Sequence, residues 1–123
     1  MKSRTGDAKG RSAEHLAALY LTLKGYRILA RRARTKLGEI DLVAMRGQIL
    51  AFVEVKYRPN ADTAAESVRI RQQRRISGAA RAFLARHPKL NEKTIRFDLV
   101  MMAPWRWPQH ILNAWPGSGH NAG

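Results

Sequence analysis

The chain has 123 residues, no cysteine, and 23 Lys and Arg against 9 Asp and Glu, which gives a net charge of +14. This length suits one compact domain, and the lack of cysteine excludes disulfides, thiolate metal sites and cysteine nucleophiles. No apolar run approaches the ~20 residues that span a bilayer, so we expect a cytoplasmic protein with no membrane partner. The excess of positive charge favours a nucleic acid as the partner.

The apolar residues recur with the spacing of two helices and five strands, in the order α-β-β-β-α-β-β. The helices are expected from about Asp7 or Ser12 to Lys24 and from about Thr63 or Ala65 to His87. The strands are expected at residues 26–33, 37–45, 50–57, 94–103 and 110–115. This order predicts the α/β class, with a mixed β-sheet flanked by α-helices. We also expect a flexible basic arm at residues 1–9, a single domain at 10–116 and a disordered tail at 117–123.

Charged residues interrupt the apolar runs of the two central strands, GEIDLVAM and LAFVEVKY. Because side chains alternate between the two faces of a strand, Ile40 and Leu42 are expected on one apolar face. Asp41 is expected on the other face, where Glu54 and Lys56 join it if the hairpin loop has an even number of residues. A four-residue loop is expected to place Asp41 directly opposite Glu54, and a two-residue loop to place the two diagonally.

Two neighbouring carboxylates repel each other, which raises at least one pKa unless a cation lies between them. Lys56 supplies part of that positive charge, and a divalent metal would supply more. Oxygen ligands without His or Cys suit Mg²⁺ or Mn²⁺, which can bind a phosphate and activate a water. Lys56 would then orient the water or neutralise charge on the phosphorus. The alternative is a purely structural ion pair between Glu54 and Lys56.

The spacing of these residues resembles a known enzyme pattern. Asp41, then twelve residues, then Glu54-Val55-Lys56 is similar to the layout of the PD-(D/E)XK nucleases. More closely, the chain resembles the YraN-like bacterial family, which is similar to archaeal Holliday junction resolvases. The matching stretches span residues 10 to 115 and are Gly10-x-x-Ala13-Glu14, Leu21-x-x-x-Gly25-Tyr26, Gly38-Glu39-Ile40-Asp41-Leu42, Phe52-Val53-Glu54-Val55-Lys56-x-Arg58 and Arg96-Phe97-Asp98.

The resemblance implies a restriction-endonuclease-like sheet and a nuclease-like domain over residues 10–116. It implies that Asp41 and Glu54 are metal ligands and that Lys56 is the catalytic lysine. It also implies that Glu14, on the first helix, completes the catalytic and metal-binding set. A homodimer is a further expectation, since the two cuts of a symmetric junction must be paired.

Three positions depart from the family pattern. Gln72 stands where many relatives carry lysine, Arg32 stands where asparagine is frequent, and Tyr57 follows Lys56 where a small residue is usual. Elsewhere, Glu39 is expected to lie near the metal or to pair with an arginine. Asp98 is expected to form a structural ion pair with Arg96 or with Arg58.

Basic residues cluster along the chain, and a solvated surface or contact with nucleic-acid phosphates would each explain them. Those expected to contact nucleic acid are Arg34, Lys36, Arg58, Arg71, Arg74 and Arg75. Three tryptophans flank the last turn: Trp105, Trp107 and Trp115. They are expected to pack or to contact a second copy, with stacking on unpaired bases as the alternative.

The sequence thus favours a Mg²⁺- or Mn²⁺-dependent endonuclease. DNA is preferred over RNA as its substrate, with branched or flapped structures as candidates. One alternative is a catalytically idle nucleic-acid-binding module on the same fold. Another is a protein whose basic surface meets an acidic protein or a membrane.

Overall fold

The computed structural model describes residues 3–58 and 69–116. The elements, in chain order, are helix α1 (Ser3–Leu23), strands β1 (Arg27–Thr35), β2 (Gly38–Arg46) and β3 (Ile49–Tyr57), helix α2 (Ile70–Arg86), a 3-10 helix (Pro88–Glu92), and strands β4 (Thr94–Met102) and β5 (Gln109–Ile111). None of the described helices is long and apolar enough to cross a membrane.

The five strands form one mixed sheet in the order β1-β2-β3-β4-β5. β3 and β4 are parallel, and the other neighbouring pairs are antiparallel. Parallel neighbours need a crossover connection, and α2 lies in the segment that joins β3 to β4. The predicted α/β class, the mixed sheet and the order of elements are therefore confirmed.

Each face of the sheet is covered by one helix. The α1 face buries Leu21 from the helix against Leu42 and Val53 from the sheet. The α2 face buries Ile76 from the helix against Phe52 and other residues of the sheet. Because both faces are buried, the central strands are apolar on both sides rather than alternating between apolar and polar. A charged residue near the middle of this sheet therefore has to be paired or functional.

The boundaries of some elements differ from those expected. Helix α1 already begins at Ser3, so it includes most of the segment predicted as an arm. The predicted start of the second helix, the residues 59–68 around it and the predicted tail at 117–123 lie outside the described residues. β5 ends at Ile111 rather than at Trp115, because Trp115 turns into the core and stacks on Phe97, with 5.6 Å between ring centroids.

The expected alternation of faces fails at one point in β2. Ile40 packs in the α2 core with Val43, whereas Leu42 packs in the α1 core, so the prediction that Ile40 and Leu42 share a face is wrong. In the neighbouring strand β1, Arg32 lies opposite this point and has a φ of 52°. This left-handed conformation is uncommon for a residue other than glycine. It interrupts the pleat of β1, and the asparagine that the resemblance implies at this position adopts this conformation more readily than arginine.

Candidate active site

The two central carboxylates lie where β2 and β3 stop pairing. Arg46 pairs with Ile49 across a two-residue loop, and the ladder continues to Leu42 opposite Val53. The next residues along the two strands are Asp41 and Glu54. They therefore face each other directly, and the prediction that a two-residue loop would place them diagonally is wrong. The loop consists of Gly47 and Gln48. A four-residue loop with the same centre gives the same register, which is why the direct pairing expected for that longer loop is observed.

The backbone of β3 holds the Asp41 side chain in place. Asp41 Oδ2 accepts a hydrogen bond from the backbone N–H of Val55 at 2.8 Å. Burial raises the pKa of Asp41, and the hydrogen bond from Val55 opposes that rise. The pKa of Asp41 is raised overall, because removing a carboxylate from water disfavours its charged form.

Glu54 is the most enclosed member of the site, with 7% of its surface exposed. Its Oε2 atom lies 3.2 Å from Lys56 Nζ and accepts a hydrogen bond from Gln72 Nε2 at 2.7 Å. Burial, and next the negative charge of Asp41, raise the pKa of Glu54 to about 7. A hydrogen bond between the two carboxyl groups lowers the pKa of Asp41 and raises that of Glu54. The two carboxyls therefore share a poorly solvated site that disfavours two negative charges at once.

Glu14 approaches the pair from α1 without joining it in a closed cluster. Its pKa is raised to about 7 by burial and then by the charge of Asp41. Its Oε1 atom lies 3.6 Å from Arg32 Nε, and this positive charge opposes the rise. Over residues 3–58 and 69–116, no three His, Cys, Asp or Glu side chains are grouped closely enough to hold a metal. The structure thus brings together Asp41, Glu54 and Lys56, and it leaves Glu14 beside them, turned toward Arg32.

Gln72 is a site residue that the sequence did not assign. It lies in the first turn of α2 and reaches Glu54 across the face of the sheet. The one signal in the sequence was that the resemblance implies a lysine at this position. A neutral amide at this position donates a hydrogen bond to Glu54 and adds no positive charge to that of Lys56.

The predicted nucleic-acid contacts lie in two places. Arg34 and Lys36 are exposed at the end of β1, where Arg34 Nε pairs with Glu39 Oε2 at 3.2 Å. Of the two expectations for Glu39, the pairing with an arginine is confirmed. Arg58, directly after β3, is half-buried and donates from Nη1 to the backbone carbonyl of Tyr57 at 3.1 Å.

The other three predicted contacts lie on α2. Arg71, Arg74 and Arg75 are exposed, and none of them forms an ion pair with a described carboxylate. Arg75 lies against the start of β2, since a Cβ added at Gly38 would come within 2.8 Å of its Cγ atom. This close approach explains the glycine before the acidic strand. The helix that donates to Glu54 therefore carries three exposed arginines that pair with no carboxylate of residues 3–58 and 69–116.

Asp98 is fully buried but belongs to a different cluster. Arg96 donates to both carboxylate oxygens at 2.8 Å, and His110 Nε2 lies 2.8 Å from Oδ2. The backbone N–H of Asn113 adds a further hydrogen bond at 3.0 Å, and these contacts hold the pKa of Asp98 below its usual value in spite of burial. The expected structural ion pair is confirmed, with Arg96 rather than Arg58 as the partner.

Fold and site together define a mixed α/β protein with a buried carboxylate pair at the end of its central hairpin. The model of the "Uncharacterised protein family UPF0102" matches residues 13–102, and the chain belongs to this family. This match confirms the family part of the resemblance seen in the sequence.

Relatives from several bacteria support the assignment. A UPF0102 protein from Nitrobacter winogradskyi is 55% identical over 109 residues, which cover 89% of this chain and 92% of the relative. One from Parvibaculum lavamentivorans is 53% identical over 106 residues, covering 86% and 80%. One from Methylorubrum extorquens is 51% identical over 118 residues, covering 96% and 92%. The similarity therefore extends over nearly the whole chain.

Proposed function

We propose that this protein is a Mg²⁺- or Mn²⁺-dependent endonuclease that hydrolyses phosphodiester bonds in DNA, with branched or flapped DNA as its substrate. We further propose that its sheet is restriction-endonuclease-like, that it belongs to the PD-(D/E)XK nucleases and that it works in the cytoplasm as a homodimer. The observation that carries the proposal is the buried pair of Asp41 and Glu54, which lies beside Lys56 in a protein of net charge +14.

The chemistry of the carboxylate pair suits a divalent cation. The raised pKa values of Asp41 and Glu54 reflect negative charge in a site that water does not fully solvate. Carboxylate oxygens are the ligands that Mg²⁺ and Mn²⁺ prefer, and Asp41 and Glu54 would hold the cation, with Glu14 as a nearby third carboxylate. A bound cation would supply Lewis-acid polarisation of a phosphate and a water of lowered pKa.

Two features of the chain would act on the substrate directly. Lys56 Nζ lies 3.2 Å from Glu54 and is 18% exposed, so it can donate to a phosphate oxygen beside the pair. The exposed arginines of α2 would neutralise the flanking phosphates. The hydrogen bond from Val55 keeps Asp41 oriented during these contacts.

A cleavage assay tests the proposal. The parent protein would be incubated with Mg²⁺ or Mn²⁺ and with single strands, duplex, 5′ and 3′ flaps, a four-way junction and a structured RNA. Asp41→Asn and Lys56→Ala proteins would be purified in the same way, to expose a contaminating nuclease. Cleavage of one structure by the parent and by neither variant would support the proposal. Equal cleavage by all three proteins, or none by any of them, would count against it.

One observation favours the alternative of an idle nucleic-acid-binding module. Glu54 is already occupied by Lys56 and Gln72, and the described residues contain no closed set of three metal ligands. Calorimetric titration with Mn²⁺ separates the two possibilities. Binding by the parent that Glu54→Gln abolishes favours the enzyme. Salt-sensitive DNA binding by a parent that takes up no Mn²⁺ favours the module.

A further inference from the structure

An apolar groove of about 510 Å³ lies between helix α1 and the loop that follows β4. Its helix wall includes Leu16 and Leu19, and its loop wall includes Trp105 and Trp107. A volume of this size is typical of clefts that hold small organic groups. Neither Asp41 nor Glu54 lines the groove.

The loop presents its two indole rings to solvent. Trp105 is 100% exposed and Trp107 is 86% exposed, whereas Trp115 is buried. Trp105 also has a φ of 59°, in the left-handed region that large side chains rarely adopt. Strained backbone of this kind is concentrated at functional sites. The loop therefore holds an exposed aromatic surface at a cost both in hydration and in backbone energy.

The groove and the carboxylate pair share the end of β3 and the same turn of α1. Tyr57 lines the groove, and its neighbours along the strand are Lys56 and Arg58. Ala13 also lines the groove, and Glu14 follows it on the helix. Because neighbouring residues of a strand point to opposite faces, Tyr57 faces the groove while Lys56 faces Glu54. The groove and Lys56 therefore adjoin the same end of β3, on opposite faces of the sheet.

The charge of the groove suits an anionic chain rather than a second copy of this protein. The described residues that line it include Arg106 and no Asp or Glu. The net charge of +14 attracts polyanions. Aromatic side chains flanking a cation are the arrangement on which successive unpaired bases stack, with the phosphates held by the positive charge.

We propose that this groove binds unpaired nucleobases of a DNA strand whose phosphates pass the Asp41–Glu54 pair, with Trp105 and Trp107 as the stacking surfaces. The proposal rests on the proposed function and deepens it, because it makes the substrate a DNA with a single-stranded portion next to the cleaved bond. A plain duplex keeps its bases stacked inside and cannot fill the groove.

The test is a binding measurement in EDTA, so that it does not depend on cleavage. Fluorescence anisotropy would give the affinity of the parent for a labelled oligothymidine of about 20 nucleotides, for a matched strand of abasic spacers and for a blunt duplex. The variants are Trp105→Ala/Trp107→Ala and, as a matched control outside the groove, Leu112→Ala, whose side chain is 52% exposed. A Trp105→Leu/Trp107→Leu variant keeps the groove apolar but removes the rings.

The parent is expected to prefer oligothymidine over the abasic strand by at least tenfold, and Leu112→Ala to keep that preference. Both tryptophan variants are expected to lose it, with duplex affinity changed less than twofold. The proposal would be overturned if the double alanine variant or the double leucine variant kept the full preference for oligothymidine over the abasic strand. It would also be overturned if the parent had no preference for bases and light scattering showed a dimeric parent and a monomeric alanine variant. The groove would then be an interface between two copies. If the tryptophan variants lose the preference but the parent cleaves no DNA, the proposal that the groove binds bases is supported and the proposed nuclease function is rejected.

Discussion

The carboxylate of Asp41 accepts a hydrogen bond from the backbone N–H of Val55, with Oδ2 and N 2.8 Å apart. This bond lies just beyond the last ladder pair of β2 and β3, which joins Leu42 to Val53. The Asp41 side chain thus accepts the hydrogen bond that a backbone carbonyl of the neighbouring strand would accept in a continuous ladder. The orientation of Asp41 is therefore set by the backbone of β3, and an asparagine at this position would keep an acceptor while losing the charge.

Replacing Glu54 should separate activity from stability. We expect Glu54→Gln to lower divalent-dependent cleavage by at least about 100-fold, because a neutral amide is a poor ligand for a hard cation. The same change should raise the melting temperature of the metal-free protein at pH 7.5 by a few degrees, on the order of 1 kcal/mol. The reason is that burial and Asp41 already disfavour the charge on Glu54. Cleavage rates and thermal melts in EDTA measure the two effects.

Glu39→Gln is the matched control for that experiment, since Glu39 lies on β2 but is exposed and paired with Arg34. It should keep cleavage within a few-fold of the parent. A Glu54→Gln protein that melts well below the parent would mean that Glu54 is needed for folding, and its lost activity would then say nothing about metal.

The stability of the metal-free protein should fall as the pH rises from about 5 to 7.5. Glu14 and Glu54 have pKa values raised to about 7 in the folded chain, against 4.5 when exposed. Between these values the folded state binds protons that the unfolded state has released, so raising the pH favours unfolding. We expect the melting temperature to be several degrees higher at pH 5.5 than at pH 7.5 in EDTA. The opposite order, or no difference, would show that these carboxyls are not buried as described.

Metal should reverse that dependence on pH. Protons and a divalent cation compete for the same carboxylates, so Mn²⁺ should raise the melting temperature more at pH 7.5 than at pH 5.5. A Glu54→Gln protein is expected to show little response at either pH. A response to Mn²⁺ that is equal at both pH values and equal in the variant would indicate binding elsewhere on the surface.

Asp98 should be a stability residue without a direct role in catalysis. Asp98→Ala leaves Arg96 and His110 without their buried partner, and loss of one member of such a cluster costs about 3–5 kcal/mol. Urea unfolding of the purified variant should show this loss as a lower midpoint with a similar slope. A midpoint within 1 kcal/mol of the parent would mean that the cluster adds little to folding.

Arg74 should contribute to DNA affinity through phosphate charge alone. The Arg74→Ala protein should bind duplex more weakly at every sequence tested, and the slope of log affinity against log salt should become shallower by ~0.9. Anisotropy titrations at several salt concentrations measure that slope. An unchanged slope would place Arg74 away from the DNA, as part of the solvated surface.

Local patterns along the chain were enough to predict several features of this protein. The two-residue and 3.6-residue periods of its apolar residues indicated the order of the elements and most strand boundaries to within one or two residues. The spacing of Asp41 and Glu54 indicated that a hairpin would bring them together. These features depend on neighbours in sequence, so the sequence alone can specify them.

Only the tertiary structure decided the remaining details of the site. Ile40 packs on the face opposite Leu42, next to the left-handed Arg32, and the docking of α2 brings Gln72 to Glu54. The apolar groove likewise needs α1 and the loop after β4 to meet. Each of these depends on contacts between segments far apart in the chain, whose geometry is set by packing across the sheet and which no local period encodes.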